Sequence, residues 1–166
     1  MKIAFDEHVA PKLAEAISAL GGDTGMLRVE IVSARSYAIP HAGSDVPWLE
    51  KFAKDGGKVI ISGDAKMRSK LHEQKALIDA GFVVIFFARR WNNANTYTKT
   101  AMLIKWWPVI LSVLESSAPG QCFEIPFSWR GASLKEITPP GAKRRKPGAK
   151  QKQKRADEEK ETNTAA

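Results

Sequence analysis

The feature that most constrains this chain is an alternation of short apolar runs with helical segments closed by glycine. Lys2 to Asp6 is a short apolar run that ends in charge. After Pro11, the residues Leu13, Ala14, Ala16, Ile17 and Leu20 fall on helical spacing until Gly21-Gly22 stops them. Arg28 to Val32 is rich in β-forming residues and reads as a second strand, and the polar stretch Ser33 to Gly43, which carries Pro40, reads as a loop. A helix is predicted next, with Ser44 or Asp45 as N-cap, Pro47 in its first turn, an apolar face of Trp48, Leu49, Phe52 and Ala53, and Gly56-Gly57 at its end. Lys58 to Ser62 is a continuous apolar strand of the kind buried on both faces of a parallel sheet. A further helix is expected over 66–80, with Leu71, Lys75, Ala76 and Ile78 at helical spacing and Gly81 as its stop. Phe82 to Ala88 is the most hydrophobic strand. Thr96 to Ser116 reads as a helix apolar on nearly every side, kinked or restarted at Pro108. Cys122 to Trp129 is the last expected strand, placed at a sheet edge by Pro126. Strands alternating with helices imply an α/β fold, a three-layer α/β/α sandwich around a mostly parallel sheet.

Composition sets the outer limits. The 166 residues suit one domain with a full core, expected over 1–138, and an appendage over 139–166. The formal charge of +8 is unevenly spread. Residues 141–166 hold nine Lys/Arg and four Asp/Glu, so the tail carries +5 and the body only +3. No large apolar residue follows Ile137, and such a segment is expected to be disordered because it cannot offset its ordering entropy. Cys122 has no partner, which excludes an internal disulfide and a cysteine-based zinc site. The N-terminal apolar run is broken by Asp6-Glu7-His8 before a signal-peptide core could form. The stretch from Ala101 to Leu114 contains Lys105 and Pro108 and falls short of the roughly 20 residues that span a bilayer. A cytoplasmic protein without a membrane segment is expected.

In open α/β sheets functional groups gather at the carboxyl ends of the strands. Asp6 ends the first strand, Asp64 follows the Lys58–Ser62 strand, and Asp45 opens the helix that leads into that strand. Clustered carboxylates repel one another and are tolerated where a hard cation such as Mg²⁺ or Mn²⁺ bridges them. Such a metal lowers the pKa of a bound water and neutralises charge on a phosphodiester. Each acid also has a structural reading: Asp45 as a helix cap, Asp64 as a cap for the helix that follows, Glu7 as a solvated loop residue. Their joint placement, more than any one of them, points to a site.

Ile3-Ala4-Phe5-Asp6-Glu7-His8 with Pro11 and its Leu13/Ala14 helix, then Ser44-Asp45, then Val59-Ile60-Ile61-Ser62-Gly63-Asp64, resembles the PIN-like nuclease superfamily. The likeness covers Met1 to Arg90 and is nearest to the small PIN-like toxins of bacterial toxin–antitoxin pairs. It implies a metal-dependent endoribonuclease with Asp6, Asp45 and Asp64 as catalytic and Mg²⁺ or Mn²⁺ ligands. It further implies that Ser62 orients the strand-end carboxylate or a water. RNA is the implied substrate and an antitoxin protein the implied partner. Where the family often places a further acid after Asp64, this chain has Ala65, Lys66 and Met67. Glu7 and Glu50 are the candidates to compensate, and Lys66 and Arg68 are candidates to contact a substrate phosphate.

Other residues divide between function and packing. His8 suits a proton shuttle or an uncommitted loop residue. Arg89, Arg90 and Trp91 follow a buried strand and fit either single-stranded RNA recognition or two surface charges with an indole capping the core. Trp106 and Trp107 fit the core or the interface of a homodimer. The basic tail suits a nucleic-acid tether acting through counterion release, an arm for an acidic partner, or a solubilising appendage. Two alternatives stand beside the nuclease. One is a non-catalytic PIN-like module that binds RNA or a partner. The other is a phospho-acceptor receiver domain, which lacks here the required hydroxyl and lysine at its later strand ends.

Overall fold

In the computed structural model, residues 1–21, 28–39, 42, 44–64, 67 and 70–138 are described. The elements run β1 (Lys2–Phe5), α1 (Pro11–Gly21), β2 (Glu30–Ser33), α2 (Val46–Lys54), β3 (Gly57–Ser62), α3 (Leu71–Asp79), β4 (Val83–Phe87), α4 (Thr96–Ser116), β5 (Cys122–Ile125) and β6 (Lys135–Ile137). They form one six-stranded sheet of order β2-β1-β3-β4-β5-β6. The first five strands are parallel and β6 is antiparallel to β5.

The period-2 alternation of strand side chains divides the core into two layers. Ile3 and Phe5 of β1, Val59 and Ile61 of β3, Ile85 of β4 and Phe123 and Ile125 of β5 pack with Leu13 and Ile17 of α1 and with α4. Ala4, Ile60, Val84, Phe86 and Cys122 face the other way, onto Trp48, Leu49 and Phe52 of α2 and Leu77 of α3. This is the expected α/β/α sandwich. Because each strand is followed by a helix running back, α2 and α3 both begin at the edge where the parallel strands end.

The structure departs from the expectations in four places. The helix expected over 66–80 begins only at Leu71, and its face is rotated: Leu71 and Ile78 are exposed, while Glu73, Gln74 and Leu77 are buried. The loop from Ser33 contains a 3₁₀ turn, Ala34–Tyr37, that buries Tyr37 against the Phe52 ring. Helix α4 is continuous through Pro108 and buries a wide single face of Met102, Leu103, Trp106, Trp107, Ile110, Leu111 and Leu114, with Pro108 itself exposed. The strand carrying Cys122 is not at the edge, because β6 covers it; Pro126 falls one residue beyond β5 and so breaks no ladder bond.

At the opposite, amino-terminal edge, Lys2 bonds Asp55 at 2.7 Å and lies 3.2 Å from Glu30, and the Tyr37 hydroxyl also donates to Asp55. Lys2 and Tyr37 hold the Asp55 carboxyl below its ordinary pKa. This network ties β1, β2, the 3₁₀ turn and the end of α2 together, away from the acids of the other edge. Among the described residues no helix is long and apolar enough to cross a membrane.

Candidate functional site

Strand β1 lies between β2 and β3, so the chain leaves it in one direction and continues on its other side. Such a reversal of strand order opens a crevice at the carboxyl ends of the two strands. Asp6 and Asp64 sit there. The Asp6 backbone N–H donates to Ile61 O at 3.0 Å, which continues the β1–β3 ladder and fixes the carboxylate on the face shared by Ala4, Ile60 and Ser62. Asp6 is 3 % exposed. Its Oδ2 accepts from the buried Ser62 hydroxyl, and its Oδ1 accepts the His8 backbone N–H with His8 Nδ1 3.1 Å away.

The resemblance implies that Ser62 orients the strand-end Asp64 carboxylate or a water; in the structure it contacts both strand-end acids. Its hydroxyl points at the carboxylate of Asp6, and its Oγ accepts the backbone N–H of Asp64 at 3.0 Å. One side chain thus links the two strand-end acids. Gly63 adds a second link, since a Cβ there would lie 3.0 Å from the carbonyl oxygen of His8. Glycine there lets the turn after β3 close on the turn after β1 without that tight contact.

Helices α2 and α3 bring the remaining charges. Asp45 occupies the N-cap position of α2 but makes no side-chain cap bond. Its carboxylate instead accepts from the Trp48 side chain. Burial first, then the charges of Glu73 and Asp6, hold the Asp45 carboxyl above its ordinary pKa, opposed by Trp48 and Lys70. Glu73, in the first turn of α3, is fully buried, and Lys70 Nζ donates to its Oε1 at 2.7 Å. Its Oε2 is buried without a hydrogen-bond partner. The hydrogen bond to Glu73, reinforced by the charges of Glu73, Asp45 and Asp64, raises the Lys70 pKa. Asp45 thus feels the charges of Glu73, Lys70 and Asp6, and Lys70 those of Glu73, Asp45 and Asp64. Two carboxylates ~5 Å apart repel by about 3 kcal/mol at an effective dielectric near 20, so charge compensation governs such an edge. Glu7, Ser44, Asp45, Trp48 and Lys70 line an open cleft of about 210 Å³ beside it.

Glu73 is the residue that sequence reasoning missed. The signal was present as an acid four residues before Leu77, on the buried side of the helix. It was masked by the competing apolar pair Leu71 and Ile78, which point to solvent.

The other expected residues scatter. Glu50 is exposed on α2 and its carboxylate is not among the charges acting on Asp45. Glu7 is exposed and lines the cleft. Arg89 and Arg90 are exposed in the 3₁₀ turn after β4, on the acids' edge of the sheet. Trp91 is not available to RNA: it is fully buried, stacked on Phe87 at 4.5 Å, with its Nε1 donating to Ile125 O at 2.9 Å. The exposed indole of this edge is Trp129, 57 % accessible beside exposed Arg130 in the segment after β5. Trp106 and Trp107 are buried within the domain's own core. Lys66, Arg68, His41 and the basic tail lie outside the described residues.

The donor set suits a hard divalent cation in kind, because every acid offers oxygen. Its arrangement does not yet form a cage. Among the described residues no group of three His, Cys, Asp or Glu side chains is placed to hold an ion. Both Asp6 oxygens are engaged by protein donors, and Lys70 stands among the acids.

Residues 1–89 match the family described as a PIN-like domain. No curated protein and no solved structure matches the chain.

Proposed function

Starting from a chain that belongs to the PIN-like domain family, over half of which the match covers, we propose that it is a metal-dependent endoribonuclease. Its site is the carboxyl edge at β1 and β3, where Asp6, Asp45 and Asp64 recruit Mg²⁺ or Mn²⁺, with Glu73 as an added acid. The observation that supports this reading is that Ser62 links Asp6 and Asp64 at the switch point of the sheet, with the charges of Glu73 and Asp6 acting on Asp45. A bound divalent ion supplies an activated water and charge neutralisation at the phosphodiester. The protein's own groups do the positioning: Ser62 and His8 hold Asp6, and Gly63 holds the turn that carries Asp64. Arg89, Arg90, Arg130 and Trp129 offer phosphate and base contacts along the same edge. The reading extends to the toxin of a toxin–antitoxin pair, cytoplasmic, able to form a homodimer and restrained by a cognate antitoxin protein.

The test is RNA cleavage by purified protein supplied with Mn²⁺. Asp6→Asn and Asp64→Asn are expected to lose cleavage by about 100-fold or more while melting near the wild-type temperature. Unchanged cleavage in both overturns the proposal. A second reading, a PIN-like module that binds RNA without cutting it, draws on the presence of Lys70 among the acids. It predicts RNA binding with no cleavage in any divalent metal.

A further inference from the structure

Between Asp79 and Glu115, and again between Glu124 and Glu136, the sequence carries no acid, although 18 of its 166 residues are Asp or Glu. Arg89, Arg90, Lys99 and Lys105 fall in the first stretch, Arg130 and Lys135 in the second. The fold joins the two stretches just after β4 and β5. The Ala88 backbone N–H and Trp91 Nε1 both donate to Ile125 O, at 3.1 and 2.9 Å, and the Phe127 ring meets the Trp91 ring edge-on at 5.7 Å. Arg89 and Arg90 are exposed immediately before Trp91, and Trp129 and Arg130 are exposed two and three residues after Phe127. One aromatic contact therefore fixes both exposed pairs to a common rim.

Residues 126–131 form a closed and braced loop. Ser128 N–H donates to Pro126 O at 3.0 Å, and Arg130 N–H donates to Ser128 Oγ at 3.2 Å. Gly131 returns to Pro126 and lies on the fully buried Trp106: a Cβ on Gly131 would stand 3.7 Å from Pro126 Cγ and only 2.6 Å from Trp106 Cη2. Lys105 locks the same point, because its ammonium donates to Gly131 O and sits 3.8 Å from the Trp106 ring centroid. The exposed Trp129 indole is thus presented to solvent by a loop fixed at both ends.

We propose that the 126–131 loop is a preformed stacking platform for single-stranded RNA, with Gly131 and Lys105 as the positioning residues that keep the Trp129 indole presented. Trp129 takes a base on its face, and Arg130, Arg89 and Arg90 take the adjoining phosphates. The inference rests on RNA as the polymer of the reading above and needs no divalent ion. Acid-free segments on both sides of the rim attract a polyanion. An exposed indole among guanidinium groups matches an unpaired base and its phosphate, whereas a duplex hides its base faces. A loop already ordered before contact loses little entropy on binding.

The experiment is fluorescence-anisotropy titration of the full chain against a labelled oligouridylate of about 12 nucleotides in EDTA, with melting temperature recorded for each variant. Trp129→Ala is expected to weaken binding about fivefold or more, and Trp129→Phe to restore most of the loss. Gly131→Ala, which drives a methyl group into Trp106, is expected to weaken binding by a similar factor. In the Trp129→Ala background it adds less than about twofold, because the glycine acts through the indole. Lys105→Met keeps an apolar stem over the Trp106 ring but loses the bond to Gly131 O, and shows the same dependence on Trp129 should Gly131→Ala fail to fold. Arg130→Gln weakens binding more than Lys75→Gln, an equal loss of charge at an exposed position of α3. Wild-type affinity in Trp129→Ala, or an equal loss on duplex RNA of the same length, overturns the platform, while cleavage in Mn²⁺ still stands or falls with Asp6→Asn. Additive losses from Gly131→Ala and Trp129→Ala overturn the positioning role. Equal losses in Arg130→Gln and Lys75→Gln overturn the phosphate contact, since the effect is then net charge alone. Binding of polyglutamate with the same dependence on Trp129 marks an acidic protein as the partner and overturns the RNA assignment.

Discussion

Asp45 shows how a side chain at a helix cap position is diverted to another task. A capping Asp bonds the free backbone N–H groups of its helix, whereas this one turns to Trp48 and into the field of Glu73 and Asp6. Its raised pKa has a direct consequence for stability. A carboxyl whose folded pKa lies above its unfolded value binds its proton more tightly in the native state, so its contribution is present below the ordinary value near 3.9 and is lost as pH rises through the folded pKa. Asp45→Asn is therefore expected to melt at a higher temperature than wild type at neutral pH, with the difference closing below about pH 4. Thermal denaturation across pH 3–8 measures this; a lower melting temperature for the variant at pH 7 contradicts it. The two tryptophans flanking β5 make a second contrast. Trp91→Ala is expected to cost about 3–5 kcal/mol in urea denaturation, as the removal of a fully buried indole does. Trp129→Ala leaves stability unchanged and weakens single-stranded RNA binding by about 1–3 kcal/mol, the worth of one stacked base.

The same residues mark what the sequence made legible at this scale. Asp6, Asp45 and Asp64 were readable because strand ends and helix starts are visible as pattern breaks. The burial of Trp91 and the exposure of Trp129 were not readable, since only tertiary packing decides which indole is buried. Glu73 was hidden by an ion pair with Lys70 that makes burial of an acid tolerable and that no periodicity reveals.

At the scale of elements, strands were more legible than helix faces. β1, β3 and β4 are buried on both sides, so their apolar runs survive any misjudged register. Helix α3 has two candidate faces, and the one with fewer apolar residues is buried, its acid Glu73 paired with Lys70. β6 was unreadable: Lys135-Glu136-Ile137 is too short and too polar to read as a strand, and it exists as an edge by pairing with β5. In α4 the sequence suggested a break at Pro108, but burial of the residues on both sides keeps the helix whole. Proline still removes one backbone bond there. Pro108→Ala, on the exposed side of the helix, is expected to raise stability by up to about 3 kcal/mol without changing RNA binding. A loss of stability in denaturant titration contradicts this.

For the whole molecule, the charge of +8 divides between an almost neutral body, with the acids Asp6, Asp45 and Asp64 at one edge of its sheet, and a cationic segment beyond Pro140. A phosphodiester approaches the acids only with positive charge at hand, from a metal, from Lys70, or from Arg89, Arg90 and Arg130 on the same rim. As a nucleic-acid tether, the tail would add affinity through counterion release. Truncation after Pro140 is expected to flatten the salt dependence of RNA binding while cleavage per bound RNA stays at the wild-type rate. Equal salt dependence in the two proteins removes the tail from RNA binding.

The proposed function puts a divalent cation at one edge of the sheet, the switch point between β1 and β3. Paramagnetic broadening of backbone amide signals by substoichiometric Mn²⁺ tests it most directly, because it locates even a weakly held ion. The amides of Asp6, Asp45, Asp64 and Glu73 are expected to broaden first and together, while those around Lys2 and Asp55 at the opposite edge persist. Broadening centred on any other acidic group, or none at all, contradicts it.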